Sequence, residues 1–309
     1  MAPCSASDED RSDDCTQGGV GSLQNVTGII TVEATANPEP QPLVPWWSFS
    51  KTVLAAAALV LVDRRKLDLD VPVSGAPYTL RQLLQHTSGL RDYGPNPDYQ
   101  RAVAGGESPW TADELLRRVN GRTLLFPPGA RFSYSNIGYL FVRQIIERAV
   151  DADLDNALRL LVFDPLGIEG VFVASAAEEF GTIVWGNAQR YDPQWVYHGC
   201  VVGSLSWAAT CLHRLIHGNL LAPATKTAML LPRSYDADAD TPEDFGYGLG
   251  MMIEPVHPGE RFAGHAGSGP GSTLTVFSAL TGRRTFAAAV GTDGPDTFPS
   301  LIDHLRALV

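Results

Sequence analysis

The feature that most constrains the fold of this chain is an apolar run that follows Ser48. Residues 53–62 read VLAAAALVLV, a stretch without glycine, proline or charge and with strong helix propensity. A helix that is apolar on every side must be enclosed by the rest of the molecule, because it has no face to offer to water. The run therefore predicts a buried central helix from Ser48 to about Lys66. It has about half the length that a membrane-spanning helix needs.

The rest of the chain has strand-forming ends and a helical middle. Residues 1–22 are acidic and poor in large apolar side chains, which predicts a flexible tail. β-Branched residues predict a strand at 26–34, before a proline-rich connector at 38–45. Further patterns predict helices at 79–86, 111–119 (with a capping box of Thr111 and Glu114), 137–150, 205–217 and 301–308, and strands at 249–254, 272–279 and 285–291.

This order of elements predicts two domains built from one chain. The 309 residues, 44% of them hydrophobic, are enough for a substantial core. Because helices separate two strand-forming ends, we predict an α/β domain that combines residues 22–65 with residues 218–309. A mainly helical domain formed by residues 66–217 would be inserted between them.

Composition limits the partners that the chain can take. A net charge of −11 would repel the phosphates of nucleic acid and anionic membranes, so we expect no nucleic acid and no membrane insertion. The start of the chain is acidic and shows no export signal, so we expect a cytoplasmic protein, or a periplasmic or secreted one if a leader has been removed. The four cysteines lack zinc-site spacing, and whether Cys4 and Cys15 form a disulfide stays open. We expect no cofactor and no metal.

Ser48 and Lys51 form the candidate chemical pair. The chain has three lysines, at positions 51, 66 and 226, against twenty arginines. A base requires lysine here, because burial can bring a lysine toward neutrality and cannot do so for arginine. The helical repeat places Ser48 and Lys51 on one face, and the Ser48 N–H at the positive helix end is available to a developing oxyanion. A serine that only caps a buried helix explains the same residues, so the pair by itself leaves both interpretations open.

Three sequence boxes occur in a recognisable order. The first is Ser48 to Lys51, within WSFSKTVLAAAALVLVDRRKLDLDVPV and followed by TLRQLLQHTSGL. The second is Tyr134-Ser135-Asn136 within LLFPPGARFSYSNIGYLF, and the third is His265-Ala266-Gly267 within GHAGSGPGSTLTVF, just before a predicted strand. Over residues 22–309 the chain resembles the superfamily of serine β-lactamases (class C-like), penicillin-binding proteins and family VIII esterases.

This resemblance implies a fold and a set of roles. The fold would be β-lactamase/transpeptidase-like: α/β plus α, with a mainly antiparallel sheet flanked by helices and an all-helical domain inserted. Ser48 would be the nucleophile of a serine hydrolase, Lys51 its base and Tyr134 a proton shuttle, with an acyl-enzyme formed on Ser48. Asn136 would hydrogen-bond the substrate, Gly267 would allow close backbone approach, and the Ser268 N–H would complete the oxyanion hole.

His265 departs from the lysine that the family usually has in the third box. An unperturbed histidine is mostly neutral at neutral pH, so recognition of a substrate carboxylate should weaken. We therefore expect a small-molecule ester, amide or peptide-like substrate, in preference to the activity of a class C-type β-lactamase or D-Ala-D-Ala carboxypeptidase. A non-catalytic binding homologue is the alternative from outside enzymology. The sequence predicts no oligomeric state.

Three other patterns carry less weight. No serine lies in a Gly-x-Ser-x-Gly elbow, which argues against the α/β-hydrolase route to the same chemistry. His213 and His217 have the spacing of a zinc pair but lack its glutamate, so core or surface histidines are the better interpretation. The aspartates at 236, 238 and 240 lack the glycine and glutamate of a calcium loop and are interpreted as a solvated acidic loop.

Overall fold

A computed structural model describes residues 29–32, 37–38, 41–186, 188–234, 246–257, 260–280, 285–294 and 297–308. The predicted tail at 1–22, the ends of the first predicted strand, Cys4, Cys15 and the three alternating aspartates lie outside these residues. None of the helices in the described ranges is long and apolar enough to cross a membrane.

The described residues form eleven α-helices and nine strands. The helices are α1 (Ser50–Asp63), α2 (Leu80–Leu84), α3 (Pro97–Ala104), α4 (Ala112–Arg118), α5 (Asn136–Val150), α6 (Leu154–Leu158), α7 (Asp164–Leu166), α8 (Ala177–Phe180), α9 (Leu205–His217), α10 (Pro223–Met229) and α11 (Phe298–Arg306). The strands are β1 (Ile30–Val32), β2 (Val44–Pro45), β3 (Phe172–Ala174), β4 (Cys200–Gly203), β5 (Gly246–Tyr247), β6 (Met252–His257), β7 (Glu260–Gly269), β8 (Ser272–Ala279) and β9 (Ala287–Thr292).

Six of the strands form one antiparallel sheet in the order β1-β9-β8-β7-β6-β5. Successive side chains of a strand point to opposite faces, and both faces of this sheet are covered. On β9, Ala287 and Ala289 face the main core, where α9 packs, whereas Ala288 and Val290 face a second core that includes α11. Strands β2, β4 and β3 form a small second sheet beside the first turn of α1.

Helix α1 lies in the centre of the molecule. Every residue from Ser50 to Leu61 is buried, and α1 packs on α5 and on the segment around α6. The buried central helix is therefore confirmed, but its predicted start at Ser48 is wrong by two residues. Trp47 has a left-handed φ of 43°, and residues Trp47–Phe49 form a 3₁₀ turn that leads into α1. Ser48 lies in this turn, which we call the nucleophile turn.

Strand β7 is the main element that the sequence pattern did not predict. Its ten residues, ERFAGHAGSG, include three glycines, and glycine normally weakens strand propensity. The sequence predicts the third box just before a strand, but this is wrong, because His265, Ala266 and Gly267 lie inside β7. The glycines of this strand have a packing cause. Strand β7 runs directly against the nucleophile turn, and a Cβ at Gly267 or Gly269 would not fit there.

Most other predicted elements form with small shifts in their ends. The helices predicted at 111–119, 137–150 and 205–217 correspond to α4, α5 and α9, and the strand at 272–279 is β8. Thr111 accepts a hydrogen bond from the Glu114 N–H, but the Glu114 carboxylate pairs with Arg117 and Arg118. The capping box is therefore only half formed.

The division into two domains stays a prediction. The segment predicted to be helical contains β3 and β4 as well as helices, and its last helix, α9, packs on β1, β8 and β9. This packing favours a second boundary before Leu205 over the one predicted at residues 217 and 218.

Candidate active site

The nucleophile turn exposes Ser48 between buried neighbours. Trp46, Trp47 and Phe49 are buried, whereas Ser48 is only half-buried. Strand β4 fixes the turn from behind, because the Trp46 N–H donates to the Val201 carbonyl at 2.7 Å. The Ser48 N–H has no acceptor among the described residues, and it lies at the positive end of the turn and helix. This N–H is available to an oxyanion.

Lys51 lies under Ser48, one helical turn into the core. Its Nζ donates to the Ser48 Oγ at 3.2 Å and lies 5.0 Å from the centre of the Tyr134 ring. Lys51 is fully buried, and burial lowers its pKa to about 7, although Asp92 and Cys200 act in the opposite direction. A substantial fraction of Lys51 is therefore an uncharged amine at neutral pH, which a base requires.

Tyr134 provides a second hydrogen bond to the same oxygen. Its hydroxyl donates to the Ser48 Oγ at 2.9 Å, and burial raises the pKa of Tyr134, so the phenol stays protonated. His86 holds Tyr134 in place by hydrogen bonds to the residues before and after it in the sequence. The His86 carbonyl accepts from the Ser133 N–H at 2.8 Å, and its Nδ1 accepts from the Ser135 N–H at 3.0 Å. The two rings pack with centres 4.2 Å apart.

Asn136, the first residue of α5, is held by Asp92. Both its backbone N–H and its side-chain amide donate to the Asp92 Oδ1, at 3.0 Å and 2.9 Å. The Asn136 amide oxygen is left for the cleft that this residue borders. The geometry agrees with the substrate hydrogen bond that the sequence predicts.

Strand β7 closes the site on its other side. Its pairing with β6 ends at Gly264, so residues 265–269 form an edge that faces the nucleophile turn. A Cβ on Gly267 would lie 2.7 Å from the Ser48 nitrogen and 2.9 Å from the Trp47 Cβ. Only glycine allows this approach of the two backbones. Ser268, the next residue, is exposed at the same edge.

His265 is neutral in this structure. Its Nδ1 lies 2.5 Å from the Ala266 carbonyl oxygen, which can only accept, so Nδ1 carries the proton. Its Nε2 accepts from the Tyr247 hydroxyl at 2.8 Å. Burial lowers the pKa of His265 to about 3, and the charge of Lys51 acts in the same direction. A fixed positive charge is therefore missing from the third box.

Two lobes of one cleft meet at Ser48. The larger lobe has a volume of about 700 Å³ and is bordered by Phe132, Tyr134, Tyr247, Met252 and His265. The smaller lobe has a volume of about 170 Å³ and aromatic walls formed by Trp47, Tyr93, Tyr99, Tyr191 and Trp195. Ser48, Asn136 and Ser268 border both lobes. A substrate carbonyl placed at Ser48 would have one substituent in each lobe.

The structure thus brings all seven predicted site residues to one place: Ser48, Lys51, Tyr134, Asn136, His265, Gly267 and Ser268. Sequence reasoning did not name His86, Asp92, His198 or Tyr247. His86 lies in the segment TLRQLLQHTSGL, which supports the family resemblance but does not indicate a role for this histidine. His198 gave none, because its contact with Lys51 joins residues that are 147 positions apart in sequence.

The two other histidines lie elsewhere. The rings of His213 and His217 are 4.8 Å apart on α9, and the His217 Nε2 contacts the Ser278 hydroxyl at 3.1 Å. Among the described residues, no group of histidine, cysteine or carboxylate side chains has the geometry to hold a metal ion. Cys200 and Cys211 are buried free thiols.

Comparisons with known proteins agree with this geometry. The sequence profile of the family described as Beta-lactamase matches residues 18–308. The esterase EstB of Burkholderia gladioli is 33% identical over 174 residues, which are 50% of this chain and 44% of EstB. A D-aminopeptidase of Brucella ovis is 25% identical over 273 residues, 80% of this chain and 49% of that protein. The chain therefore spans about half the length of these two relatives.

The similarity extends to solved structures. The crystal structure of D-amino acid amidase from Ochrobactrum anthropi SV3 has a TM-score of 0.72 at 19% identity, over 91% of this chain and 93% of that one. At this identity the match shows the fold. The predicted fold class, β-lactamase/transpeptidase-like with an antiparallel sheet flanked by helices, is confirmed.

We predict that the reactivity of Ser48 follows the ionisation of Lys51. Below pH 7 Lys51 is an ammonium and cannot accept the serine proton, whereas above pH 7 it is a free amine. The rate of Ser48 labelling by a fluorophosphonate should rise about tenfold per pH unit below pH 7 and then level off. Lys51→Arg, which keeps the charge at all these pH values, should be nearly unlabelled. A flat wild-type profile between pH 5 and pH 9 would contradict this assignment.

We also predict that Gly267→Ala disables the site. The added methyl group would meet the Ser48 nitrogen at 2.7 Å, so either the nucleophile turn or β7 must move. A displacement of about 1 Å at a nucleophile costs roughly 100-fold in rate, which the same labelling assay would detect. Gly186→Ala is the matched control, because a Cβ there meets nothing within 4 Å. Equal labelling rates for Gly267→Ala and wild type would refute the close-approach argument.

Proposed function

This chain belongs to the β-lactamase family, and on that premise we propose that it is a serine hydrolase that cleaves ester or amide bonds through an acyl-enzyme on Ser48. One observation supports this most directly. Two groups that carry protons, the Tyr134 hydroxyl at 2.9 Å and the Lys51 Nζ at 3.2 Å, converge on the Ser48 Oγ at the wall of a cleft. A serine with only a structural role would not need a partly neutral lysine and a protonated tyrosine beside its hydroxyl.

The first half-reaction forms the acyl-enzyme. The Ser48 Oγ attacks the substrate carbonyl carbon, and its proton moves to the neutral amine of Lys51. The carbonyl oxygen becomes an oxyanion, which the Ser48 N–H and the Ser268 N–H would stabilise. When the bond to the leaving group breaks, Tyr134 donates its proton to that group and regains one from Lys51. The leaving alcohol or amine thus departs neutral.

The second half-reaction uses the same groups with water. A water molecule takes the place of the leaving group, and its proton passes to the site base as its oxygen attacks the acyl carbon. The bond between the acyl carbon and the Ser48 Oγ then breaks, and Ser48 recovers a proton from Lys51 or Tyr134. Neither half-reaction calls for a metal or a cofactor.

The walls of the cleft favour an uncharged substrate. Among the described residues that border either lobe, none is a lysine, arginine, aspartate or glutamate, and His265 is neutral. A substrate carboxylate or ammonium would lose water there without gaining an opposite charge. This supports an ester or a neutral amide over a β-lactam, which carries a carboxylate, and over a D-amino acid amide, which carries an ammonium.

The names of the relatives bear on this choice. EstB is an esterase, and the Brucella ovis protein and the Ochrobactrum anthropi enzyme are named for D-amino acid substrates. Ester hydrolysis is therefore our first proposal, and hydrolysis of D-amino acid amides is the second. β-Lactamase or D-Ala-D-Ala carboxypeptidase activity ranks below both, because the third box lacks its cation.

We expect Ser48→Ala to abolish turnover of the substrates that wild type accepts. A panel of 4-nitrophenyl esters, D-amino acid amides and β-lactams should show ester turnover by wild type, reduced at least about a thousandfold in Ser48→Ala. The exposed Ser108→Ala is the control and should match wild type. Turnover that survives in Ser48→Ala would sink the proposal. Binding without turnover across the whole panel would favour a non-catalytic homologue.

We further expect His265→Lys to improve acylation by a penicillin. A lysine would restore a cation at the third box, whereas His265→Gln removes the histidine without adding charge. The rate of labelling by a fluorescent penicillin should rise at least about tenfold in His265→Lys, and no such gain is expected in His265→Gln. Thermal unfolding of both variants checks that the buried site tolerates them. A folded His265→Lys with no gain would show that missing charge is not what limits penicillin recognition.

A further inference from the structure

Lys51 has a second polar partner, a histidine nitrogen, which belongs to none of the three sequence boxes. The Lys51 Nζ lies 3.2 Å from the His198 Nε2, and both side chains are buried. His198 also borders the smaller lobe of the cleft, next to Ser48. Among the described residues, no carboxylate lies within ion-pair distance of the Lys51 Nζ. The buried amine therefore has the Ser48 hydroxyl and the His198 ring as its polar partners.

The position of His198 is fixed by the strand that follows it. Gly199, with a left-handed φ of 91°, turns the chain from His198 into β4. A Cβ at this glycine would lie 2.4 Å from the Leu154 Cδ2, so the turn is also tightly packed. Strand β4 is in turn bonded to the first residue of α1, because the Val201 N–H donates to the Ser50 Oγ at 2.9 Å. His198 and Lys51 thus lie on two elements that are hydrogen-bonded to each other.

The protonation states define what this contact can do. An ammonium has three N–H donors and no acceptor, so a hydrogen bond from charged Lys51 requires an unprotonated Nε2 on His198. Burial and the neighbouring Lys51 charge lower the pKa of His198, which keeps the ring neutral. The other titratable or charged groups around the pair are Asp92, Tyr134, Tyr139, Cys200, His86, His265 and Arg143.

We propose that His198 is a positioning residue for the acyl transfer on Ser48, an inference that rests on the proposed function. Its Nε2 accepts a hydrogen bond from the Lys51 ammonium that forms whenever Ser48 gives up its proton. This acceptor stabilises the charged form inside the core and keeps the Nζ directed at the Ser48 Oγ. Because no described carboxylate lies against Lys51, the His198 imidazole supplies the acceptor.

The test measures the ionisation of Lys51 directly. Because the chain has three lysines, protein labelled with ¹³C at the lysine ε-carbon gives three side-chain signals, and Lys51→Arg identifies the one of interest. An acceptor favours the charged form, so its loss should lower the pKa of Lys51. In His198→Phe we expect the Lys51 midpoint to fall by about one pH unit. His198→Gln, whose amide oxygen can replace the Nε2, should keep it within a few tenths of a unit.

Thermal unfolding checks that each variant folds, and Lys66 and Lys226 supply reference signals in the same spectra. His198→Leu replaces the phenylalanine variant if the larger ring prevents folding. A Lys51 midpoint in a folded His198→Phe or His198→Leu that equals that of wild type would overturn the proposal. A midpoint that falls equally in the glutamine variant would also overturn it, because loss of the acceptor would not then be the cause.

A kinetic measurement separates this inference from the proposed function. With 4-nitrophenyl acetate as the substrate, His198→Phe should lose at least about tenfold in kcat with KM nearly unchanged. The acid limb of its pH profile should move with the Lys51 midpoint. If wild type hydrolyses no ester or amide, the proposed function fails while the titration still decides the contact. Ester turnover by wild type with an unmoved midpoint overturns the role of His198 alone.

Discussion

The burial of Lys51 in the central helix is the constraint on which the rest of the site depends. Removing an ammonium from water is costly unless it is paired or becomes neutral, and no carboxylate of the described residues lies within ion-pair distance of the Lys51 Nζ. Lys51 is therefore partly neutral, because burial lowers its pKa to about 7, and its Nζ has polar contacts to Ser48 and His198. The apolar surroundings of α1 that make the helix stable therefore also make its lysine a usable base.

Close backbone packing places Ser48 beside Lys51 at the wall of the cleft. The nucleophile turn is fixed from behind by β4 and faced from the front by β7, and both contacts depend on small residues at specific places. Gly267 and Gly269 face the Trp46–Ser48 backbone and the Trp47 ring, so β7 carries glycines where a strand would ordinarily carry β-branched residues. The glycines lower the strand propensity of β7 but let it approach the nucleophile turn closely, and the Ser48 N–H there has no acceptor among the residues that the structure describes.

Neutrality is the common property of the groups that face the substrate. Desolvation lowers the pKa values of Lys51, His198 and His265 and raises that of Tyr134. Each group is thereby kept in the form that can exchange or direct a proton at neutral pH, and none supplies a permanent charge. The same burial underlies the proposal that the site prefers uncharged substrates.

The sequence by itself determined the buried central helix, through its local apolar pattern, and the order of the three boxes. Through the family resemblance that these boxes carry, it also predicted seven candidate site residues. Only the tertiary structure decided that Ser48 lies in a 3₁₀ turn before α1 and that the third box lies within β7. It also brought His198, Asp92 and His86 to Lys51, Asn136 and Tyr134. These features depend on contacts between residues 40 to 150 or more positions apart, which leave no periodic signal in the chain.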